Sequence, residues 1–354
     1  RWPGVVRPQE SDAESNARRA AATAPSTSDS PASGAVAMTA PADAPVRFRL
    51  RVRGAAGAIA TWHTSEGTQA TIPVTGADER LSFVSGYEPF AEEPGRDRWL
   101  SYTGNHREYA LMLRHEEPRP WLVCVHGTEM GRAALDLTLF RAWHLHEDFG
   151  LNVVLPVLPM HGPRANGLPK GAVFPGEDVM DDVHATAQAV WDVRRVLGWI
   201  RAQQPDAQIG LNSISLGGYI AALVASLDDG LTCATLGVPP GNLVELLGRH
   251  SGLDRDDPRR RTLELAEPIG QMISPLSMEP KLPAEGRFIY AGVADRIVHP
   301  RQQVLQLWEH WGRPDIGWYP GGHTGFFQAR PVQRFVDAAL AQSGLVVAEG
   351  TPGS

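Results

Sequence analysis

Two serines one residue apart stand in the segment "IGLNSISLGGYIAALVASL" (209–227). A serine hydroxyl becomes a nucleophile only when a base takes its proton and preformed donors stabilise the oxyanion that develops. A very tight strand-to-helix turn exposes such a serine, and it requires small residues two positions before and two positions after it. Ser213 has Leu211 before it, and the leucine would clash. Ser215 has Ser213 and Gly217 at these positions, so Ser215 is the predicted nucleophile.

This pattern departs from the common G-x-S-x-G string, because Ser213 stands where glycine is usual. A small-x-Ser-x-Gly string also arises by chance, and an ordinary turn serine is the alternative interpretation of Ser215. The neighbouring elements favour a nucleophile: a short apolar strand precedes the turn and an alanine-rich helix follows it. Gly218 would let that helix pack closely against the strand.

Alternating strands and helices surround this turn. The near-continuous apolar runs "WLVCVHG" (121–127) and "LNVVLPVLP" (151–159) are typical of strands covered on both faces. Apolar residues recur at helical spacing over 179–203. Further strands are predicted at 231–238, 287–293 and 316–320. The pattern predicts an α/β fold, a mostly parallel sheet with helices on both faces, whose reactive groups gather at the carboxyl ends of the strands.

The remaining segments suggest how the chain is organised. Residues 1–45 are rich in Ala, Ser and Pro and are predicted to be a disordered tail. Residues 46–345 form one predicted domain with antiparallel strands at its N-terminal edge, beginning with "VRFRLRV". Residues 238–286 read as a helical insert, a candidate cap, and 346–354 as a flexible C-terminus.

Placed in this order, the motifs resemble the α/β-hydrolase superfamily over roughly residues 110 to 342, a family whose triad follows the chain order Ser, acid, His. The resemblance implies that Asp295, in "YAGVADRIVHP", is the acid and that His323, in "WYPGGHTGFF", is the base. A turn acid and a structural histidine are the alternatives. The front strands, the "GGH" loop and the cap are most similar to the branch of dienelactone hydrolases and prolyl oligopeptidase-type peptidases.

The resemblance also implies an oxyanion site. "VCVHGTEMG" ends a strand with His126–Gly127, so the backbone N–H groups of Thr128 and Leu216 are the predicted donors. His126 is a candidate substrate contact, with a strand-end residue that bonds its own loop as the alternative. His161 and Arg164, in "LPMHGPR", are candidates for the mouth of the pocket.

Composition excludes several classes of partner and cofactor. The formal net charge of −7 over 354 residues argues against a nucleic-acid partner. No apolar run approaches the roughly 18 residues that cross a bilayer, so we expect no integral membrane segment and a cytoplasmic protein. Cys124 and Cys233 lie in apolar runs and are expected to act as small hydrophobic residues. No residue spacing predicts a metal site, and the chemistry requires no cofactor.

The sequence therefore predicts a serine hydrolase that cleaves a small-molecule carboxylic ester through a Ser-His-Asp triad and an acyl-enzyme. An acyl-lipid hydrolase and a small-peptide serine peptidase are alternatives within this class. A catalytically inactive binding protein of the same fold is the alternative from another class. Acyl length and oligomeric state have no signal in the sequence.

Overall fold

The computed structural model of the protein describes residues 48–53, 58–63, 69–74, 78–254 and 256–346. The predicted tail at 1–45 lies outside the described residues, as does nearly all of the predicted flexible C-terminus.

The described residues form one large sheet and one small one. The strands are β1 (Phe48–Arg53), β2 (Ala58–His63), β3 (Gln69–Val74), β4 (Asp78–Val84), β5 (Arg107–Leu113), β6 (Trp121–Val125), β7 (Asn152–Pro156), β8 (Ile209–Ile214), β9 (Cys233–Gly237), β10 (Arg287–Gly292) and β11 (Asp315–Tyr319). The large sheet has the order β1-β4-β5-β7-β6-β8-β9-β10-β11, and β2 pairs with β3. Its first three strands and the β5–β7 pair are antiparallel, and every pair from β7 to β11 is parallel. The predicted front end of antiparallel strands is confirmed.

Strand order sets the location of the site. From β6 the chain moves to β7 on one side and then to β8 on the other. The order therefore reverses between β6 and β8, and ligands of open α/β sheets bind at the carboxyl ends of the strands at such a point. His126 directly follows β6 and Ser215 directly follows β8, so both lie at this edge.

Helices cover both faces of the sheet. They are α1 (Arg96–Ser101), α2 (Ala133–Leu139), α3 (Ala142–Glu147), α4 (Val179–Gln203), α5 (Leu216–Leu227), α6 (Leu243–His250), α7 (Pro258–Gln271), α8 (Leu305–His310) and α9 (Arg330–Gln342). One core includes the inner residues of α4 and α5, and a second includes those of α3 and α9. Every residue of β6, β7, β8 and β9 is buried, as expected for strands covered on both faces.

The predicted helix at 179–203 is observed with the same bounds. Asp178 caps it, because its side chain accepts the N–H groups of Met180 and Asp181. These are two of the backbone donors that the first turn of a helix leaves unpaired. The helix is buried along most of its 25 residues and forms much of the larger core.

The segment between β9 and β10 contains the two predicted helices, α6 and α7. They pack against each other, and α7 contacts α4. At their crossing a Cβ on Gly270 would lie 2.3 Å from Val244 Cγ2, so a larger residue would require the Val244 side chain to shift. The Tyr219 hydroxyl of α5 donates to Ile273 O at 2.7 Å. This bond joins the segment between β9 and β10 to α5.

Both cysteines are buried and free, and they act as small hydrophobic residues, as predicted. Burial raises the pKa of the Cys233 thiol to about 11. Among the helices that the structure describes, none combines the length and the apolar character needed to cross a membrane.

Candidate active site

Ser215 occupies a strained turn between β8 and α5. Its φ of 54° and ψ of −119° place a non-glycine residue at positive φ, which costs about 1–3 kcal/mol. Its N–H donates to Gly237 O at 2.7 Å, which holds the turn against the end of β9. The side chain stays partly exposed, whereas the six residues of β8 before it are buried. The turn therefore lifts the hydroxyl off the edge of the sheet.

Small residues let this turn approach its neighbours. A Cβ on Gly217 would lie 2.0 Å from Val125 O, and one on Gly218 would lie 2.9 Å from Pro239 Cβ. Ser213 is fully buried and donates to Thr235 O at 3.1 Å, so its hydroxyl faces the interior of the sheet. Of the two serines, only Ser215 presents its hydroxyl at the site.

His323 and Asp295 meet Ser215 from loops that follow the last two strands. His323 Nε2 lies 2.9 Å from Ser215 Oγ, and His323 Nδ1 lies 2.7 Å from Asp295 Oδ2. A carboxylate only accepts hydrogen bonds, so Nδ1 carries the proton and Nε2 presents its lone pair to the serine hydroxyl. Hydrogen bonds therefore link Asp295, His323 and Ser215 in a continuous series, although Ser215 and His323 are 108 positions apart in the sequence.

The surroundings of Asp295 hold its carboxylate in place. The other oxygen, Oδ1, accepts the N–H groups of Ile297 and Val298, both at 2.9 Å. The Asp295 side chain is 1% exposed and that of His323 is 13% exposed. The acid is therefore shielded behind the imidazole, and the imidazole itself reaches solvent.

The two loops are also joined through their backbones. Ala294 N–H donates to Gly321 O at 3.0 Å, and Val293 N–H donates to Tyr319 O at 3.1 Å. A Cβ on Gly292 would lie 2.5 Å from Gly321 O, so glycine at the end of β10 allows the loops to touch. This contact sets the separation of the acid and the imidazole.

The loop after β6 lies against the serine turn. A Cβ on Gly127 would lie 3.2 Å from Ser215 Cβ. In the part of the chain that the structure describes, the N–H groups of Thr128 and Leu216 have no hydrogen-bond acceptor. Thr128 follows the glycine that packs against Ser215, and Leu216 directly follows Ser215 in the chain. The oxyanion role of these two N–H groups stays a prediction.

Two of the three predicted substrate contacts are interior side chains, which corrects the prediction for them. His126 is 1% exposed, and its Nδ1 and Nε2 bond Gly127 O at 2.8 Å and Leu158 N at 3.0 Å. It therefore bonds its own loop, which was the alternative interpretation. Arg164 has no exposed surface and pairs with Glu108 and Asp192, so it does not line the mouth of a pocket.

His161 is buried as well. Its Nδ1 donates to Pro159 O at 2.8 Å, and its ring lies 5.0 Å from that of His126. Burial lowers the pKa of His161 to about 4, so it is neutral near neutral pH. It packs beside the loop after β6, and its role toward a substrate stays a prediction.

Sequence reasoning missed two buried acids near this edge. Asp136, in the first turn of α2, accepts the Gly131 N–H at 3.2 Å, and burial raises its pKa to about 7. Glu108 of β5 accepts the Val157 N–H at 2.9 Å. The available signal was an acid within an otherwise apolar stretch, "ALDLTL" for Asp136. Among the residues described, no three His, Cys, Asp or Glu side chains are grouped so that they could hold a metal ion.

Comparisons with known proteins place these observations in context. No family model matches the chain. An uncharacterized protein of Mycobacterium tuberculosis, found in strains CDC 1551 and H37Rv, is 71% identical over 272 residues, which cover 77% of this chain. The match spans 66% of that protein, so the chain covers slightly less than two thirds of its curated relatives.

Solved structures show the fold. Acetyl xylan esterase 1 from Thermoanaerobacterium sp. JW/SL YS485 has a TM-score of 0.56 and 16% identity, covering 88% of this chain and 92% of its own. An acetyl xylan esterase from Paenibacillus sp. R4 has a TM-score of 0.58 and 16% identity, covering 89% of this chain and 96% of its own. The predicted fold class is confirmed.

Proposed function

We propose that this chain, which has the α/β-hydrolase fold, is a serine hydrolase that cleaves a carboxylic ester through a covalent acyl-enzyme. The observation that carries the proposal is the continuous hydrogen-bonded chain from Asp295 through His323 to Ser215, at 2.7 and 2.9 Å. It is supported by the positive φ of Ser215, because strained backbone of this kind clusters at functional sites.

In the first half of the reaction, Ser215 Oγ attacks the carbonyl carbon of the ester while His323 Nε2 takes the hydroxyl proton. The carbonyl oxygen becomes an oxyanion, and the N–H groups of Thr128 and Leu216 stabilise it. Asp295 stabilises the imidazolium that has formed. Collapse of the tetrahedral intermediate breaks the bond to the leaving oxygen, which receives the proton from His323 and departs as an alcohol.

In the second half, His323 takes a proton from water as the water oxygen attacks the acyl-enzyme. The second tetrahedral intermediate returns that proton to Ser215 Oγ and releases the carboxylic acid. Each proton moves through one nitrogen, His323 Nε2, so the reaction requires no other base. Serine, imidazole and carboxylate are regenerated.

The substrate class we propose is an ester, and an ester with a small acyl group is its simplest member. The two structures with the same fold bear the name acetyl xylan esterase, although 16% identity supports the fold alone. A panel of p-nitrophenyl esters of increasing acyl length, with a matched amide, separates a small-acyl esterase from an acyl-lipid hydrolase and a peptidase. Labelling of Ser215 by a fluorophosphonate probe separates all three from an inactive binding protein.

The deciding experiment replaces Ser215. S215A is expected to lower kcat for the best p-nitrophenyl ester on the order of 10⁶-fold and to abolish probe labelling. S213A is the matched control, because it removes the neighbouring hydroxyl, which bonds Thr235 O inside the sheet. We expect S213A to lose about 1 kcal/mol of stability and to keep its turnover. Turnover retained in S215A would refute the assignment.

A further inference from the structure

The His126 imidazole bonds the peptide group that contains one of the proposed oxyanion donors. Its Nδ1 lies 2.8 Å from Gly127 O, and that carbonyl belongs to the same peptide as the Thr128 N–H. The peptide is planar and trans, so its C=O and N–H point in opposite directions. A group that fixes the direction of the Gly127 carbonyl therefore also fixes the direction of the Thr128 N–H.

Met130 also holds this peptide and the one before it. The Met130 N–H donates to Gly127 O at 3.3 Å, on the same carbonyl as the imidazole. In the preceding peptide group, the Gly127 N–H donates to Met130 Sδ at 3.2 Å. Gly127 itself lies against the serine turn, since a Cβ there would come within 3.2 Å of Ser215 Cβ. The Gly127 carbonyl thus bonds two buried residues, His126 and Met130, and the opposed Thr128 N–H has no hydrogen-bond acceptor among the described residues.

The tautomer of His126 is set from the far side of the ring. The Leu158 N–H, after β7, donates to His126 Nε2 at 3.0 Å, so Nε2 must be the unprotonated nitrogen. Nδ1 then carries the proton and donates to the Gly127 carbonyl. Burial, together with nearby His161, lowers the pKa of His126 well below its ordinary value, so the ring keeps this neutral form near neutral pH.

We propose that His126 is a positioning residue that orients the Thr128 N–H toward the oxyanion. This inference rests on the proposed function, since it assigns how one donor of that site is held. In this role, His126 contacts no substrate atom. It acts through the peptide group between Gly127 and Thr128. Because Leu158 bonds His126 and His126 bonds Gly127, the position of the Thr128 N–H also depends on the loop after β7.

Two substitutions separate the two bonds of the imidazole. The amide nitrogen of Asn lies near the position of Nδ1, so H126N can keep the donor to Gly127 O while losing the acceptor for Leu158 N. The amide of Gln reaches the position of Nε2, so H126Q can keep the acceptor and lose the donor. The measurements are kcat and KM for the best p-nitrophenyl ester, and thermal unfolding of each variant.

The proposal predicts that H126Q loses kcat on the order of 10²-fold with KM unchanged, the loss typical of one missing oxyanion donor. H126N is expected to keep kcat much closer to that of the wild type, even if it melts at a lower temperature. A purely structural role would make kcat follow stability in both variants. Wild-type kcat in H126Q, or an equal loss of kcat in both, would overturn the proposal.

A measurement on the wild type keeps the inference testable if either variant fails to fold. Nitrogen-15 NMR of the imidazoles is expected to show His126 protonated on Nδ1 alone, and protonation on Nε2 would overturn the proposal. Failure of the proposed function looks different: the wild type would neither hydrolyse esters nor react with the fluorophosphonate probe, and both proposals would then fall. If turnover is lost in S215A but unchanged in the His126 variants, only the positioning role is overturned.

Discussion

At the scale of single residues, the least exposed member of the site, Asp295, has the most completely satisfied side chain. Its carboxylate accepts three hydrogen bonds, two from backbone N–H groups and one from His323. The backbone donors fix the orientation of the carboxylate, so Oδ2 can only face the imidazole. This arrangement sets which nitrogen of His323 bears a proton, and therefore which nitrogen can act as a base toward Ser215.

Replacing Asp295 by asparagine tests this assignment. In D295N the amide can donate to Nδ1, which would leave the proton on Nε2 and present it to the serine hydroxyl. We expect kcat to fall about 10⁴-fold, because the wrong tautomer cannot accept the hydroxyl proton. Steady-state kinetics on a p-nitrophenyl ester measures the loss.

D97N is the matched control for this substitution, since the Asp97 side chain is 99% exposed in α1. It should keep the wild-type rate. If D295N turned over ester as fast as D97N, Asp295 would not be the acid of the site. It would then be better interpreted as an acidic residue in an ordinary turn.

At the scale of elements, the serine turn depends on how closely α5 begins beside β6. The first turn of α5 carries Gly217 and Gly218, and both lie against atoms of neighbouring strand ends. The carbonyls of Val125 and His126 would lie 2.0 and 2.5 Å from a Cβ on Gly217. These are backbone atoms, so they cannot rotate away as a side chain could.

We expect G217A to be destabilising by about 3 kcal/mol, the upper end for overpacking, because strand and helix must separate to accept the methyl group. The same separation would move Ser215, so kcat should fall as well. Denaturant unfolding measures the first effect and ester turnover the second.

G322A provides the control for stability. A Cβ on Gly322 would meet only Ala294 O, at an ordinary contact distance of 3.8 Å. Its unfolding midpoint should lie close to that of the wild type. An unfolding midpoint for G217A equal to that of G322A would show that β6 does not limit the approach of α5.

At the scale of the whole molecule, Arg164 joins segments that are far apart in the chain. It forms ion pairs with Glu108 of β5 and Asp192 of α4, and it donates to Val157 O at 2.8 Å and Asn105 O at 3.0 Å. Burial raises the pKa of the Glu108 and Asp192 carboxyls, and the guanidinium opposes that rise. The cluster holds the loop after β7 from which Leu158 contacts His126.

Removing the cation should leave two buried carboxylates uncompensated. We expect R164M to lose about 3–5 kcal/mol of stability at neutral pH. The folded state binds protons on these carboxyls more tightly than the unfolded state does, so their contribution to stability falls as pH rises. The deficit of R164M should therefore shrink as pH is lowered, because a protonated carboxyl needs no counter-charge.

Urea unfolding of the wild type and R164M, repeated at neutral pH and at successively lower pH, measures the loss of stability at each pH. R313M is the matched control, since Arg313 and its partner Glu309 are largely exposed, and such pairs contribute little. A deficit that stayed constant with pH would indicate that lost packing, and not uncompensated charge, destabilises R164M.

The sequence by itself determined the features that depend on neighbours in the chain. Spacing of small residues selected Ser215 over Ser213, and the structure confirms the turn that this spacing predicts. Helical periodicity predicted 179–203 with its observed bounds. Alternation of strands and helices predicted the fold class, which the two esterase structures bear out. These signals are local because backbone conformation and the burial of one face follow from residues a few positions apart.

Only the tertiary structure decided which polar side chains face the site. His126 and Arg164 follow the ends of parallel strands, the position from which side chains commonly reach a ligand, and both are interior. Their partners come from elsewhere in the chain: Leu158 for the imidazole, Glu108 and Asp192 for the guanidinium. Whether a polar group is solvated or buried depends on which distant segments the sheet order brings beside it, because the desolvation of a charge is set by everything that surrounds it in space.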